Sequence, residues 1–388
     1  MRFFKDVALS TVFAGGVTVL VGFTSSLALV FQAAQATGAD AAQMASWVWA
    51  LGMGMAATCI GLSWRYRTPI VTAWSTSGAA MLIISAPGWP MGEVVAAFVM
   101  SSLMVTLVGF SGWFERFMDR VPLPLAAGML AGVLLRLGLD VFVVMSAQLW
   151  LPLIMVMVYL LTMRWSPRYA VVLTMLVGGV LAAMQGQVHL QDIDWQWAHP
   201  VWTTPSFTLS GFISLALPFF IVNMASQNIP GVASWRAHDY HPPLSPVIGW
   251  IGVANVLLAP FGAFSVNLAA ITASICASPE AHPDRSKRYT AAISAGVFYF
   301  IAGLAGASMV SVFAAFPKAL VTVIAGIALF GTISNALATA LQDVGHRQAA
   351  FLTFVVTASG FSLWGISSAF WGLVAGLLAW GLAYQRQA

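Results

Sequence analysis

Polar side chains are scarce in this chain, and those lying inside long apolar runs are the ones able to do chemistry. The densest group is Asn223, Ser226, Gln227 and Asn228, followed by Pro230 and Gly231. On a helix, Asn223, Ser226, Gln227 and Pro230 share one side at i, i+3, i+4 and i+7 spacing. Amides and a hydroxyl turned to lipid would be costly, so this side is expected to face a cavity or a neighbouring helix. The plainer reading is hydrogen bonding between helices, which is common for Asn and Gln in membranes.

Two further segments resemble each other. Pro69-Ile-Val-Thr-Ala-Trp-Ser-Thr-Ser-Gly-Ala-Ala and Pro260-Phe-Gly-Ala-Phe-Ser-Val-Asn-Leu-Ala-Ala both begin at proline and run through an extended stretch. Both then reach a small, polar turn and continue as a helix. Ser75, Thr76 and Ser77 sit at the first turn, and Phe264, Ser265 and Asn267 at the second. Two half-helix N-termini facing each other would present unpaired N–H groups and positive dipole ends, which suit an anion. The alternative is that these hydroxyls cap their own helices. Thr24, Ser25, Ser26 and Gln32 add polar groups in the first apolar run.

Charges inside the apolar runs are few. Arg136 and Asp140 stand at i, i+4 and are read as a structural ion pair near a membrane boundary, although charges within a span are functional suspects by default. Asp140 is the one carboxylate well inside a run; Glu93 and Glu280 lie at run ends. No histidine is deep in a run, and His238, His241 and His282 fall in loops. Cys59 and Cys276 have no metal-ligand spacing and read as small buried hydrophobes. No nucleophile with a base, no phosphate loop and no metal or cofactor motif is present, so an enzyme is not expected. The scattered basic residues give no nucleic-acid footprint.

The elements that must position these groups follow from composition. The chain has 388 residues, 60% hydrophobic and 7% charged. A soluble domain carries about 25% charged residues, so the expected solvent is lipid. Runs such as 11–34 contain no charge and match the ~20 residues a helix needs to cross a bilayer. The N-terminal run is too long for a signal core and reads as a retained first span. Dividing the runs at charges, Pro and Gly predicts fourteen spans: 8–33, 44–63, 70–86, 92–113, 122–144, 147–163, 169–185, 209–233, 244–259, 262–278, 289–312, 317–340, 349–364 and 367–384.

Basic residues test this count, because cytoplasmic loops collect Lys and Arg. With the N-terminus inside, 14 of the 16 basic residues fall inside: Arg2, Lys5, Arg65, Arg67, Arg116, Arg120, Arg164, Arg168, Arg236, Arg285, Lys287, Arg288, Arg347 and Arg386. Lys318 falls outside and Arg136 within a span. Both termini are therefore expected on the cytoplasmic side. The loop 186–208 has no Lys or Arg and carries Asp192, Asp194, Trp195, Trp197 and Trp202. It is expected to cross the outer face and join two halves, 1–185 and 209–388. Two halves of seven spans each must sit upside down relative to each other, the inverted-repeat plan of many secondary transporters. Leu130-Ala-Gly-Val-Leu-Leu after Pro122 and Ile324-Ala-Gly-Ile-Ala-Leu after Pro317 add to the similarity between halves.

Along nearly its whole length the chain resembles the benzoate:proton symporter family of bacteria. The resemblance is carried by the segments from Pro69 and Asn223 above, by Ala277-Ser-Pro-Glu-Ala-His-Pro-Asp and by Ser367-Ser-Ala-Phe-Trp-Gly-Leu-Val-Ala-Gly. The family is similar in plan to the nucleobase–ascorbate and sulfate-type anion transporters. It implies an all-α membrane protein with short strands before the half-helices of spans 3 and 10. It also implies a core domain (1–113 with 209–312), a gate domain (122–185 with 317–388) and, by analogy, a possible homodimer. Benzoate or a similar aromatic carboxylate would enter with a proton by alternating access. Its site would draw on Ser25, Ser75, Thr76, Ser77, Asn223, Ser226, Gln227, Asn228, Phe264, Ser265 and Asn267. An anion exchanger or channel of the sulfate-transporter type, or a nucleobase-type carrier, is the alternative. Nucleobase members carry a glutamate where this chain has Ser226, which favours the small aromatic carboxylate.

Overall fold

A computed structural model of the chain describes residues 6–113, 123–165, 170–188, 195–279, 281–361, 363 and 368–384. Pro122, Asp192, Asp194, Glu280, Ser367 and the basic residues Arg2, Lys5, Arg116, Arg120, Arg168 and Arg386 lie outside these, as do the side chains of Thr24, Ser25 and Arg236. The first half runs α1 (Leu9–Ala36), α2 (Ala41–Tyr66), β1 (Thr72–Trp74), α3 (Thr76–Ser85), α4 (Met91–Phe110), α5 (Leu123–Val143), α6 (Trp150–Trp165) and α7 (Ala170–Met184). The second half opens with α8, one helical run made of Leu209–Gly211, Phe212–Ala216, Leu217–Asn223, Met224–Asn228 and Ile229–Ala237. Then come α9 (Leu244–Leu258), β2 (Val266–Leu268), α10 (Ile271–Ala277), α11 (Tyr289–Leu304), α12 (Gly306–Ala314), α13 (Lys318–Gln342), α14 (Arg347–Ala358) and α15 (Ser368–Tyr384).

Six described helices are long and apolar enough to cross a membrane, or up to eight if each bent pair is one span. α1 bends by 44° between Phe23 and Ser26, and α11 meets α12 at 65°. Leu107, Leu160, Leu176, Val180, Leu257 and Leu378 are each more than half exposed. Against water such faces would carry a large hydrophobic penalty, whereas lipid tails are as apolar as the side chains themselves. Helix ends follow local chemistry. Asp40 caps α2 by accepting from the Gln43 N–H at 2.7 Å, while Gln43 Oε1 accepts from the Asp40 N–H at 3.0 Å. Thr208 caps α8 through the Gly211 N–H and donates its own proton to Glu93 at 2.6 Å.

Packing repeats between the halves. α2 lies on α11, and α4 on α9. Both contacts depend on glycine: a Cβ on Gly52 would stand 2.5 Å from the Gly303 Cα, and one on Gly109 would stand 2.3 Å from the Gly249 N. Small residues let helix backbones approach closely where lipid supplies no hydrophobic drive. α1 also packs on α3, α10 and α11, while α5 packs on α13 and α14, α14 on α15, and α6 on α7. The two groups meet where α3 and α8 lie on α5 and α1 lies on α13.

The loop residues 195–208 lace over one end of the first group. Gln196 N–H donates to Ser308, Ala198 N–H to the Leu304 carbonyl, Val201 N–H to Ser46, Thr203 N–H to the Pro260 carbonyl and Ser206 N–H to the Gly92 carbonyl. Trp195, Trp197 and Trp202 remain well exposed, as suits indole at a membrane boundary. At the opposite end of α2, Arg67 pairs with Asp6 at 3.6 Å, and Tyr289 donates to Asp6 at 2.8 Å.

Candidate functional site

β1 and β2 pair antiparallel, with Thr72 opposite Leu268, Ala73 opposite Asn267 and Trp74 opposite Val266. Flanking bonds run from Ser75 N–H to the Ser265 carbonyl and from Ala269 N–H to the Val71 carbonyl, each 3.0 Å. Antiparallel ladders alternate bonded and non-bonded pairs, so Thr72, Val266 and Leu268 turn their backbone groups away from the partner strand. In lipid such edge groups have no water to satisfy them. Side chains of neighbouring helices do it here. Asn255 of α9 donates to the Val266 carbonyl at 2.7 Å and accepts from its N–H at 2.8 Å. Asn228 of α8 accepts from the Leu268 N–H at 3.1 Å, and Cys59 of α2 accepts from the Thr72 N–H at 3.2 Å. The sequence reading missed Asn255; its signal was a lone amide in an otherwise apolar span.

α8 reaches the strands through two wide turns. Leu217 N–H bonds back to Phe212 and Ile229 N–H to Met224, so Phe212–Ala216 and Met224–Asn228 are π-helical. Each lies beside a proline, Pro218 or Pro230, that has no N–H to give the preceding turn. Such bulges re-aim side chains and occur often at functional sites. The polar groups on this stretch then find different partners. Ser226 turns its hydroxyl onto the Val222 carbonyl of its own helix at 2.6 Å. Gln227 reaches across to α3, its Nε2 lying 3.4 Å from Thr76 Oγ1 and 3.3 Å from Ser77 Oγ. Asn228 donates to Asn267 at 3.0 Å, which donates to Ser265 at 2.7 Å.

Asn223 is different again. It is 1% exposed, and neither its amide nitrogen nor its carbonyl oxygen has a hydrogen-bond partner. Its carboxamide lies beside Gly78 in the first turn of α3: a Cβ there would meet Asn223 Oδ1 at 3.0 Å and the Phe219 ring at 2.9 Å. Phe219 continues into a buried aromatic group with Phe98, Phe264 and Trp47, whose ring centroids are 5.5–6.5 Å apart. Gly262, at φ +98°, makes the turn that delivers Phe264; any Cβ at this position would strike the Trp47 ring. On the β1 side, Trp74 donates to Ser26 at 2.8 Å and stacks edge-on against Phe23 at 4.5 Å.

Several expectations need correction. Ser75 is the N-cap of α3 and accepts from the Gly78 N–H at 2.8 Å, so its hydroxyl caps its own helix. Ser265 and Asn267 do not begin a half-helix. Asn267 is in the middle of β2, and α10 starts only at Ile271. Each strand is followed by its half-helix, β1 by α3 and β2 by α10, but Ser265 and Asn267 lie on the strand side of that junction and not in the first turn of α10. Arg136 and Asp140 make no ion pair; those formed among the described residues are Arg67–Asp6, Lys287–Asp284 and His346–Asp343. Arg136 is exposed, and a cation placed N-terminal to its acid at i, i+4 is the weaker orientation on a helix.

Together these residues form a small polar patch of carboxamides and hydroxyls beside a helix N-terminus and an aromatic wall.

In solved structures, the transmembrane domain of the cyanobacterial bicarbonate transporter BicA matches with a TM-score of 0.57 at 12% identity, covering 97% of this chain and 96% of that one. SLC26A9 matches with a TM-score of 0.60 at 10% identity, covering 97% of this chain and 66% of that one. At such identities these likenesses establish the fold. Among curated proteins, the inner membrane protein YdcO of Escherichia coli is 44% identical over 97% of this chain and 96% of its own length. The benzoate membrane transport protein of Acinetobacter baylyi is 36% identical over 99% of this chain and 98% of its own. The family model described as benzoate membrane transport protein matches residues 5–382, and the chain belongs to that family.

Proposed function

We propose that this protein is a secondary carrier that imports benzoate, or a similar small aromatic carboxylate, together with a proton. Membership of its family makes it a membrane transporter and not an enzyme. The observation that carries the substrate reading is the meeting of Asn223, Gln227, Thr76 and Ser77 at the first turn of α3, beside Phe219. Helix N–H groups and the amides suit a carboxyl head. The aromatic group suits a phenyl ring. Asn228, Asn267 and Ser265 form the floor, and Phe264 backs it.

The helix groups suggest how access alternates. α1–α4 with α8–α12 would act as a core domain that carries the strands. α5–α7 with α13–α15 would act as the gate against which the core moves. The loop residues 195–208 fasten to the core helices α2 and α4 and to the ends of α9 and α11, so they would travel with the core. The carrier is read as a multi-pass protein of the bacterial inner membrane, with both termini cytoplasmic by the positive-inside rule. A homodimer is an expectation by analogy.

The test is uptake of radiolabelled benzoate into proteoliposomes with and without an inward proton gradient. Saturable uptake accelerated by the gradient supports symport. Uptake indifferent to the gradient points to the second reading, an anion exchanger or channel, which the likeness of the fold to BicA and SLC26A9 favours.

A further inference from the structure

A carrier that moves an aromatic acid with a proton must hold that proton somewhere. The orphaned carboxamide of Asn223 indicates where. A primary carboxamide presents one acceptor and a donor side by side. Both stand unpaired in a position only 1% exposed, and buried polar groups are ordinarily hydrogen-bonded. An ionised carboxylate is acceptor-only. It would pair with the amide N–H and with the first-turn N–H groups of α3, but it has nothing to give Asn223 Oδ1. A protonated carboxyl has one O–H to donate and a carbonyl to accept, the same complement reversed.

The surroundings point the same way. The segment Leu217–Asn223 packs on α3, α4, α5 and α15. The ionisable residues on those elements and on α8 itself are Glu93, Arg136, Asp140, Arg236 and Tyr384. Glu93 accepts from Thr208, fifteen residues or ~22 Å back along α8. Arg136 is exposed, Asp140 is half-buried, and neither is hydrogen-bonded to Asn223. Among the described side chains of these elements the one cation, Arg136, is exposed, so a carboxylate held at this position would be buried with no cation from them beside it, and such burial favours the neutral form.

We infer that the site recognises the neutral, protonated acid, with Asn223 paired to the carboxyl group through two hydrogen bonds, so that the transported proton travels on the substrate. This rests on the reading of the site given above. Asn223 is thereby the residue that selects the protonation state of the ligand.

Binding to purified protein in detergent tests this better than flux, since a neutral aromatic acid also permeates lipid. The probes are benzoate and benzamide, whose amide offers a donor and an acceptor at any pH. For wild-type protein, benzamide is expected to compete with benzoate and to bind equally from about pH 5 to 8. The apparent affinity for total benzoate should fall about tenfold per pH unit above the acid's own pKa, which is roughly 4 as for ordinary carboxyls. Asn223→Ala should weaken both probes about tenfold or more at an unchanged melting temperature. Asn223→Ser, which keeps one hydroxyl, serves if the alanine variant fails to fold. Benzoate affinity independent of pH, or benzamide that does not compete, overturns the inference while leaving the benzoate site standing. Absence of benzoate binding at every pH removes the site reading and the inference together.

Discussion

Side chains of neighbouring helices complete the edges of β1 and β2, and Asn255 provides the sharpest test of that arrangement. It is 2% exposed and bonds both backbone groups of Val266, which is itself fully buried. Asn255→Ala leaves an N–H and a C=O without partners where no water reaches. Each orphaned buried group costs roughly 1–3 kcal/mol, so the loss is about 2–6 kcal/mol, a large part of the ~5–15 kcal/mol that holds an ordinary fold together. Asn255→Leu keeps the branched shape, leaves no cavity and makes no hydrogen bonds; it should cost at least as much, which separates lost bonding from lost packing. Ser226→Ala is the control, because its hydroxyl only bonds back to its own helix; its effect should stay below ~0.5 kcal/mol. The assay is SDS- or heat-induced unfolding of purified protein, with benzoate binding measured in parallel. If both Asn255 variants unfold within ~0.5 kcal/mol of wild type, the edge-completion argument is wrong.

Four further outcomes are expected. Gln227→Ala and Ser265→Ala should weaken benzoate binding with the fold retained, and unchanged affinity in both would remove them from the site. Gly132→Leu should prevent α5 from seating on α14, because even a Cβ there would stand 2.7 Å from the Phe354 carbonyl; overpacking of this kind costs about 1–3 kcal/mol or more, read as loss of monodisperse protein on size exclusion. Arg288 is 8% exposed and donates to the carbonyls of Ala277, the last residue of α10, and of His282 at 2.8 and 2.7 Å. Arg288→Ala should destabilise by about 1–3 kcal/mol, and Arg288→Lys by less, on the same unfolding assay. Finally, its hydrogen bond with His346, together with the Gly345 N–H, holds the Asp343 carboxyl below the usual carboxylate range. Its folded pKa lies under the unfolded value of roughly 3.9, so this contribution is present above that value and lost as pH falls through the folded pKa. The protection of the Gly345 amide, the intrinsic exchange rate at each pH divided by the observed one, should fall only in that acid window, and loss of protection near neutral pH would contradict the assignment.

What the sequence determined by itself was the solvent and the class. Lipid makes charge inside a span costly, so long runs poor in charge and tryptophan at the loop residues Trp195, Trp197 and Trp202 register directly in composition. The broken spans left a trace as well: Pro69 and Pro260 precede the small polar turns, and β1 and β2 lie where those segments predicted an extended stretch. What the sequence could not decide was where each polar group points. Ser75 and Ser226 bond locally, while Asn223 and Gln227 turn towards α3, and α8 carries π turns beside Pro218 and Pro230. A periodicity of 3.6 carries no record of such turns. The part played by Asn255 was equally hidden, since an amide in an apolar run shows its purpose only when tertiary packing brings a strand edge within reach. The orphaned state of Asn223 is likewise a tertiary fact: a missing hydrogen bond is defined by all the neighbours that fail to make one.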